Sequence, residues 1–502
     1  MRFTTSALIS LVCACGGGGQ RGAEGPTELA DVAEYAALAY VPNQPTYLVA
    51  AHTVRDAQRS VTDTIDSFGM LVGQGSRDAG KVLESVLGMD PLTEQGLAKL
   101  GVDPLGSIAL FAERADPTIL VKLAAPEAAQ SFFSDIRNRM VTRSVVVESV
   151  EVVTAPFLDG AEASWAIDKQ WLWVHFGKKG GDPSADWFSH SHHATGNAWT
   201  TGFGWAKQVR ETLERRPGER RPGTTRGDGL LGFFDSRALL ALVRGAVPEL
   251  DACLDRFQPI GFGGFAIEGD GHHVGGRLAF DLGPAAQNIA AAVLPPPPGF
   301  EAVAAKAPLA VQWNLDLGAI ASFIAPCVET VGGTTSFITK YGVRTMRLAV
   351  QTLDPADKSG TGVIAADLSD KTFLAQLLDQ IPKRSFFESD HTFGSFAGHR
   401  ISIPFVAKLD YVLDGSHGFA AMGDGLMDKL VMGASPSAPP VFSLDLVPSG
   451  FSEAVWDVVI SAVTNEWFAK RASSALQAWQ DGHIRVTIDR DSLVIDAAGN
   501  RR

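Results

Sequence analysis

Apolar and polar residues alternate in four paired runs, and each pair predicts a β-hairpin. The pairs are residues 107–114 with 118–123, 262–268 with 273–280, 347–352 with 361–367, and 484–488 with 493–495. Successive side chains of a strand point to opposite faces, so alternation is typical of a half-buried strand. Turn residues such as Asp270-Gly271 separate the runs. We therefore expect antiparallel strand pairing in both halves of the chain.

Helical patterns follow three of these hairpins. The helices are predicted to begin at Pro126, Pro284 and Ser369, because proline and serine suit the first turn of a helix. Short apolar runs at residues 47–51 and 310–315 each lead into a further predicted helix. This recurring order predicts an α+β fold of repeated β-α-β-β units, with antiparallel sheets, helices packed on one face, and two similar halves.

Segments rich in proline and glycine divide the pattern. The prolines at residues 295–298 can continue neither a helix nor a central strand. We therefore expect a first α+β domain over residues 31–294 and a second over residues 299–502. Residues 215–228 combine proline, glycine and charge, which predicts an exposed or disordered loop.

The first 14 residues have the layout of a signal peptide, with Met1-Arg2 followed by a mostly apolar stretch too short to span a membrane. The segment Val12-Cys13-Ala14-Cys15 then resembles the bacterial lipobox. The resemblance implies that Cys15 is the lipid-attachment residue, with a diacylglycerol on its sulfur and a further acyl chain, such as palmitate, on the amine freed by cleavage. One alternative is an ordinary signal peptide without lipidation. Another is modification of Cys13, although Val12 is a poor residue for the position before the modified cysteine.

Glycine dominates the following stretch, so residues 15–30 are predicted to be a flexible tether. Several acyl chains suit such an anchor, because each buried CH₂ contributes about 0.8 kcal/mol and one chain alone holds a protein only marginally. Gly16 follows Cys15. In lipoproteins of this kind an Asp at that position is associated with the inner membrane, so the resemblance favours the outer membrane, with the body periplasmic or surface-exposed.

A short step, Tyr40-Val41-Pro42, precedes the first predicted strand. It resembles the start of the mature region in uncharacterised exported bacterial proteins. Those proteins have no established activity, so the resemblance implies only a place in the cell envelope.

The formal net charge of −13 argues against nucleic acid as a partner. No run after the signal peptide approaches the ~18 apolar residues of a membrane-spanning helix. The expected partners are therefore the membrane, reached through lipidated Cys15, and an envelope protein or a hydrophobic ligand.

Two cysteines remain beyond the predicted anchor, Cys253 and Cys327. An even pair in an exported chain can form one disulfide. The alternative is a pair of buried thiols that act as small apolar side chains.

Three histidines lie close together in the segment Asp186-Trp187-Phe188-Ser189-His190-Ser191-His192-His193. In an extended segment His190 and His192 would share one side, and His193 or Asp186 could complete a metal site. A polar surface loop is the alternative interpretation.

A predicted hairpin carries Trp171 and Trp173 on one face and Leu172 and Val174 on the other. The tryptophans could bind an apolar or sugar ligand, or form one wall of the core beneath a helix.

No complete motif of a serine hydrolase, a zinc protease or a penicillin-type acyl enzyme occurs in the sequence. The leading hypothesis is therefore an envelope lipoprotein with a non-enzymatic binding or scaffolding role and no cofactor. One alternative is a carrier of a hydrophobic ligand or lipid, suggested by 28 phenylalanines. A second alternative is a metal-dependent envelope hydrolase with its metal at residues 190–193.

Overall fold

The fold was analysed in a computed structural model of the chain. It describes residues 34–72, 76–158, 160–194, 199–211, 229–246, 251, 261–269, 271–321, 342–354, 357, 359–370, 375, 387–403, 407–414, 416–433, 438–461 and 466–502. Helices and antiparallel strands are both abundant in these residues, which confirms the predicted α+β class.

Twenty described strands are joined by hydrogen bonds into one sheet. In chain order they are β1 (Tyr47–Ala51), β2 (Ile108–Glu113), β3 (Asp116–Lys122), β4 (Arg143–Val147), β5 (Val150–Leu158), β6 (Ala161–Asp168), β7 (Trp171–Lys178), β8 (Leu230–Asp235), β9 (Phe262–Gly269), β10 (His273–Asp281), β11 (Leu309–Trp313), β12 (Met346–Asp354), β13 (Ser359–Asp367), β14 (Glu388–Phe393), β15 (Phe396–Ile403), β16 (Ala407–Leu413), β17 (His417–Met422), β18 (Phe442–Leu446), β19 (Trp479–Asp489) and β20 (Ser492–Arg501).

The described helices lie between these strands. They are α1 (Val54–Val72), α2 (Ser76–Leu87), α3 (Glu94–Lys99), α4 (Pro126–Arg139), α5 (Asp186–His192), α6 (Thr200–Glu211), α7 (Ser236–Ala246), α8 (Pro284–Ala291), α9 (Phe300–Ala304), α10 (Leu426–Val431), α11 (Glu453–Ser461) and α12 (Glu466–Leu476). Two 3₁₀ helices, Ala36–Tyr40 and Pro448–Gly450, precede β1 and α11.

All pairings between these strands are antiparallel, and the strand order is the same in both halves of the chain. Outward from the centre, one side reads β10-β9-β8-β1-β2-β3-β7-β6-β5-β4. The other reads β20-β19-β18-β11-β12-β13-β17-β16-β15-β14. The equal order concerns topology alone, and the repeated β-α-β-β unit stays a prediction.

The centre of the sheet is the pair β10–β20, which runs in register from His273 opposite Asn500 to Asp281 opposite Ser492. Strands on either side of residues 295–298 are therefore hydrogen-bonded across the centre of one sheet. The division into domains at these prolines stays a prediction.

The four hairpins predicted from alternation are β2–β3, β9–β10, β12–β13 and β19–β20. The alternation predicts the turn of the first hairpin at Asp116-Pro117, but it lies two residues earlier, at Arg114-Ala115. Glu113 pairs with Asp116 across it, and Arg114 has a φ of 67°. Helices begin at Pro126 and Pro284 as predicted. Most of the helix predicted from Ser369 lies outside the described residues.

Helices cover both faces of the sheet, whereas the sequence had suggested one. On one face Trp173 packs with Phe111 and Phe233 beneath α6. On the other, Leu172 joins a cluster with Trp165, whose ring stacks on Phe133 of α4 at 4.9 Å. Central strands such as β3 and β7 are apolar at both odd and even positions, so each face needs a cover that excludes water.

The second half is covered in the same way. Leu309 of β11 packs on Trp456 of α11, while its neighbour Ala310 faces a cluster with Phe300 of α9 and Met427 of α10. Within the described residues, no helix has the length and apolar character needed to cross a bilayer.

Candidate functional site

The lipid-attachment residue predicted at Cys15 lies outside the described residues, as do Cys253 and Cys327. Lipidation and the disulfide therefore stay predictions.

The histidine-rich segment forms the short helix α5 rather than an extended strand. Ala185 adopts a left-handed conformation just before it, and Asp182 accepts hydrogen bonds from the backbone amides of Ser184 and Trp187. Burial acts to raise the pKa of Asp182, but these hydrogen bonds and one from the Ser184 hydroxyl lower it below its usual value. An ionised Asp182 thus satisfies free amides at the start of α5.

One side of α5 is fixed against the core. Trp187, Phe188 and Ser191 are buried. The Ser191 hydroxyl accepts a hydrogen bond from Trp173 Nε1 at 2.9 Å and donates to the Tyr40 carbonyl at 2.6 Å. Because residues two apart on a helix are separated by about 200°, His190 and His192 leave α5 in different directions.

His192 and His193 meet Glu148, which lies in the turn between β4 and β5. His192 Nδ1 is 3.0 Å from Glu148 Oε2, and His193 Nε2 contacts Glu148 Oε1. The second ring nitrogen of His192, Nε2, is 3.1 Å from Asp168 Oδ2 at the end of β6. This group of four residues is here called the histidine cluster.

The turn holds Glu148 in place. Glu148 and Ser149 have φ values of 52° and 71°, as in the two-residue turns that match the twist of a hairpin. Val147 pairs with Val150 across the turn, so the turn consists of Glu148 and Ser149. The Ser189 hydroxyl of α5 also donates to Glu148 Oε1 at 3.1 Å.

The other two predicted metal ligands lie elsewhere. His190 Nδ1 is 3.0 Å from Glu113 Oε2 at the end of β2, and Asp186 is exposed in the first turn of α5. The four-residue set predicted from the sequence is therefore divided, and only His192 and His193 come together.

Glu148 and Asp168 were missed from the sequence. They are separated from His192 by 44 and 24 positions. Asp168 carried a usable signal, since it ends the first strand of the predicted Trp171 hairpin. Glu148 follows the run Val145-Val146-Val147 without the Gly, Asn or Asp that marks most such turns.

Negative charge dominates the histidine cluster. Burial acts to raise the pKa of Glu148, but hydrogen bonds from His192 and Ser189 and the nearby charge of His193 lower it below its usual range. The pKa of Tyr40 is raised, first by burial and then by the charge of Asp168. The carboxylates of Glu148 and Asp168 face the two imidazole rings, an arrangement that favours a cation.

The tryptophans of β7 form a wall of the core, as one of the two interpretations held. Trp173 is fully buried, and Trp171 packs against the same cluster. The ring of Tyr40 contacts both, at centroid distances of 5.2 and 5.4 Å.

No protein-family model matches the chain, and no curated protein matches it. Among solved structures, crystal form III of TP0453 is 10% identical with a TM-score of 0.27, covering 49% of this chain and 80% of that one. Crystal form IV of TP0453 is 10% identical with a TM-score of 0.26, covering 51% and 84%. A GTP binding regulator (TM1622) from Thermotoga maritima is 19% identical with a TM-score of 0.14, covering 18% and 64%. Likeness at this level assigns no function.

Proposed function

We propose that the chain is a membrane-anchored envelope lipoprotein whose body binds a ligand or a partner without catalysing a reaction. The anchor rests on the lipobox-like segment that ends at Cys15 and the glycine-rich stretch after it. The role of the body rests on one structural observation. The described strands form a single sheet whose two faces are packed against helices.

Such a body suits a scaffold. Among the described residues, the largest fully buried side chains are Trp173 and Trp456. They lie on opposite sides of the central strand pair and fill the space between sheet and helices. Close-packed interiors transmit load and resist deformation. Binding surfaces are then left to loops, turns and helix ends at the rim, which is where the histidine cluster lies.

The histidine cluster supports a binding role better than a hydrolytic one. It is built from a hairpin turn and the end of a short helix, and two of its members, Glu148 and His193, are exposed. A hydrolase usually places its reactive groups in a concave, water-excluding pocket.

The carrier hypothesis has less support. The apolar faces of the sheet are occupied by helices of the same chain. A groove beside the end of β12, lined by residues that include Leu353, Phe451 and Val455, has a volume of about 250 Å³. This groove, one of those formed by the described residues, is smaller than the roughly 300–1,000 Å³ pockets that usually hold drug-sized apolar ligands.

The full-length chain, purified in detergent, should show no turnover on a broad panel of ester, amide, glycoside and phosphoester substrates, with and without added zinc. The matched control is the His192→Ala variant assayed beside it. Turnover that is reproducible in the wild type and lost in this variant would show an enzyme and overturn the proposal.

A further inference from the structure

We propose that Glu148, His192 and His193 form a binding site for a divalent transition-metal ion of the zinc type. One carboxylate oxygen and two imidazole nitrogens lie within 4.8 Å of one another. Tetrahedral zinc with bonds of about 2.0–2.1 Å separates its ligand atoms by about 3.3–3.4 Å. The three side chains thus need only small movements to surround an ion.

Asp168 supplies an outer partner of the kind that metal-binding histidines have. Its carboxylate lies 3.1 Å from Nε2 of His192, on the side of the ring away from Glu148. A histidine that donates its second N–H to a carboxylate has its tautomer and ring orientation fixed, and the ring becomes a stronger ligand. In the tautomer that donates from Nε2 to Asp168, Nδ1 of His192 is free to ligate an ion, which would take the place of the proton between Nδ1 and Glu148 Oε2.

Further contacts hold the ligands before an ion arrives. The His192 ring stacks on Phe188 at a centroid distance of 5.2 Å and an interplanar angle of 26°. The Ser189 hydroxyl donates to Glu148, and buried Ser191 ties α5 to the core. A site held in this way loses little conformational entropy on binding, which favours affinity.

The types of ligand atom indicate which class of metal ion the site binds. Imidazole suits zinc, copper, nickel and iron, whereas magnesium and calcium prefer sites made wholly of oxygen. Three protein ligands leave a fourth position open, and the 63% exposure of His193 turns that position toward solvent. A water molecule, or a donor group from a partner, fits there.

The metal site is separate from the membrane anchor, since its ligands all belong to the folded body. It also needs no turnover, so a metal-binding protein without activity would agree with both proposals. Zinc binding together with turnover would keep this inference and overturn the proposed function.

The test is isothermal titration of zinc into the full-length chain, purified in detergent and stripped with a chelator. We expect the wild type to bind one zinc per chain and both His192→Ala and Glu148→Gln to lose this binding. Glu148→Gln keeps the size of the side chain and replaces one carboxylate oxygen by an amide nitrogen. Asp168→Asn should retain the site with roughly 10–100-fold weaker affinity, as outer-partner losses do. Magnesium should not compete.

His190→Ala is the matched control, because His190 is on the same helix but contacts Glu113. This variant should bind zinc as the wild type does. Circular dichroism of each variant shows whether it is folded, and Glu148→Gln still decides the case if His192→Ala does not fold.

The chain also has cysteines, so the ligand shell must be read directly. X-ray absorption at the zinc edge should show nitrogen and oxygen at about 2.0–2.1 Å, not sulfur at about 2.3 Å. Absence of stoichiometric zinc in the wild type, equal stoichiometry in wild type and His192→Ala, or a sulfur shell would each overturn the inference.

Discussion

His175 on β7 is a half-buried histidine beside the helix that carries the histidine cluster. Its Nδ1 is 2.9 Å from the Thr118 hydroxyl, and its ring stacks on Trp187 at 4.6 Å with an interplanar angle of 6°. Burial lowers the pKa of His175, against the opposing charges of Asp116 and Asp182. The folded protein therefore takes up a proton on this ring less readily than the unfolded chain does.

This difference predicts a pH-dependent loss of stability. An unfolded histidine titrates near pH ~6.5, and the folded one titrates lower, so the unfolded state binds more protons between the two values. The contribution of His175 is neutral above about pH 6.5 and destabilising as pH falls toward the folded pKa. The His175→Gln variant should therefore lose less stability than the wild type between about pH 7.5 and 5.

Urea unfolding at a series of pH values measures this effect. The control is His391→Gln, because His391 is exposed on the edge strand β14. It tests whether the loss of any histidine changes the slope of stability against pH. Equal slopes for wild type and His175→Gln would show that burial does not keep His175 neutral.

At the candidate site, the sequence predicts the histidines but not the residues that they contact. Three neighbouring histidines drew attention to residues 190–193, and alternation placed Trp171 and Trp173 on one face correctly. The partners Glu148 and Asp168 depend on the pairing β5–β6–β7 and on the packing of α5 over it. No local pattern specifies those contacts, so the division of His190 from His192 could not be foreseen.

At the scale of elements, the proline-rich connection is fixed by one buried arginine. Arg347 on β12 is fully buried and donates to the carbonyls of Leu294 and Pro295, at 2.9 and 3.1 Å. It also donates to Asn314 Oδ1 and Asp367 Oδ2. Burial lowers the pKa of Arg347, while the charge of Asp367 acts in the opposite direction.

Removal of this guanidinium should be costly. Arg347→Met would leave the carbonyls of Leu294 and Pro295 without this donor, and it would remove the ion pair from the half-buried Asp367 carboxylate, which keeps the hydrogen bond from the Thr345 hydroxyl. We expect a loss of about 3–5 kcal/mol in the free energy of unfolding. Arg137→Met is the control. Arg137 and its ion-pair partner Glu151 are 46% and 45% exposed, so we expect a loss of about 1 kcal/mol or less.

Urea unfolding followed by tryptophan fluorescence compares the two variants. A loss for Arg347→Met no larger than that for Arg137→Met would contradict the role of Arg347 in holding the connection. The sequence predicts the break at the prolines but not the hydrogen bonds from Arg347. An isolated arginine in an alternating strand cannot be distinguished from an exposed, charged surface residue.

Hairpins and helix starts were predictable because both depend on residues close in sequence. Pairings such as β1–β8 and β3–β7 were not, since they join segments far apart in the chain. The covering of both faces follows from these pairings, because they place apolar strands in the interior of the sheet. The alternating pattern by itself predicts only one buried face for each hairpin.

At the scale of the whole molecule, the two halves form one body around the pair β10–β20. Helix α1 of the first half contacts α12 of the second, and α8 contacts β19. Arg501 near the end of β20 donates to the Asp63 carbonyl and the Ser67 hydroxyl on α1. The described residues of the two halves therefore pack against each other, and the histidine cluster lies toward the β4 edge of the sheet.

A body of this kind can act beside a membrane only if it is held there, and the proposal assigns that task to Cys15. The direct measurement is labelling of cells that express the chain with radioactive palmitate, followed by separation of membrane and soluble fractions. Wild-type protein should carry the label and sediment with the membranes, whereas Cys15→Ala should be unlabelled, and Cys13→Ala should still be labelled. Label that persists in Cys15→Ala would contradict the anchor and, with it, the proposed role of the protein.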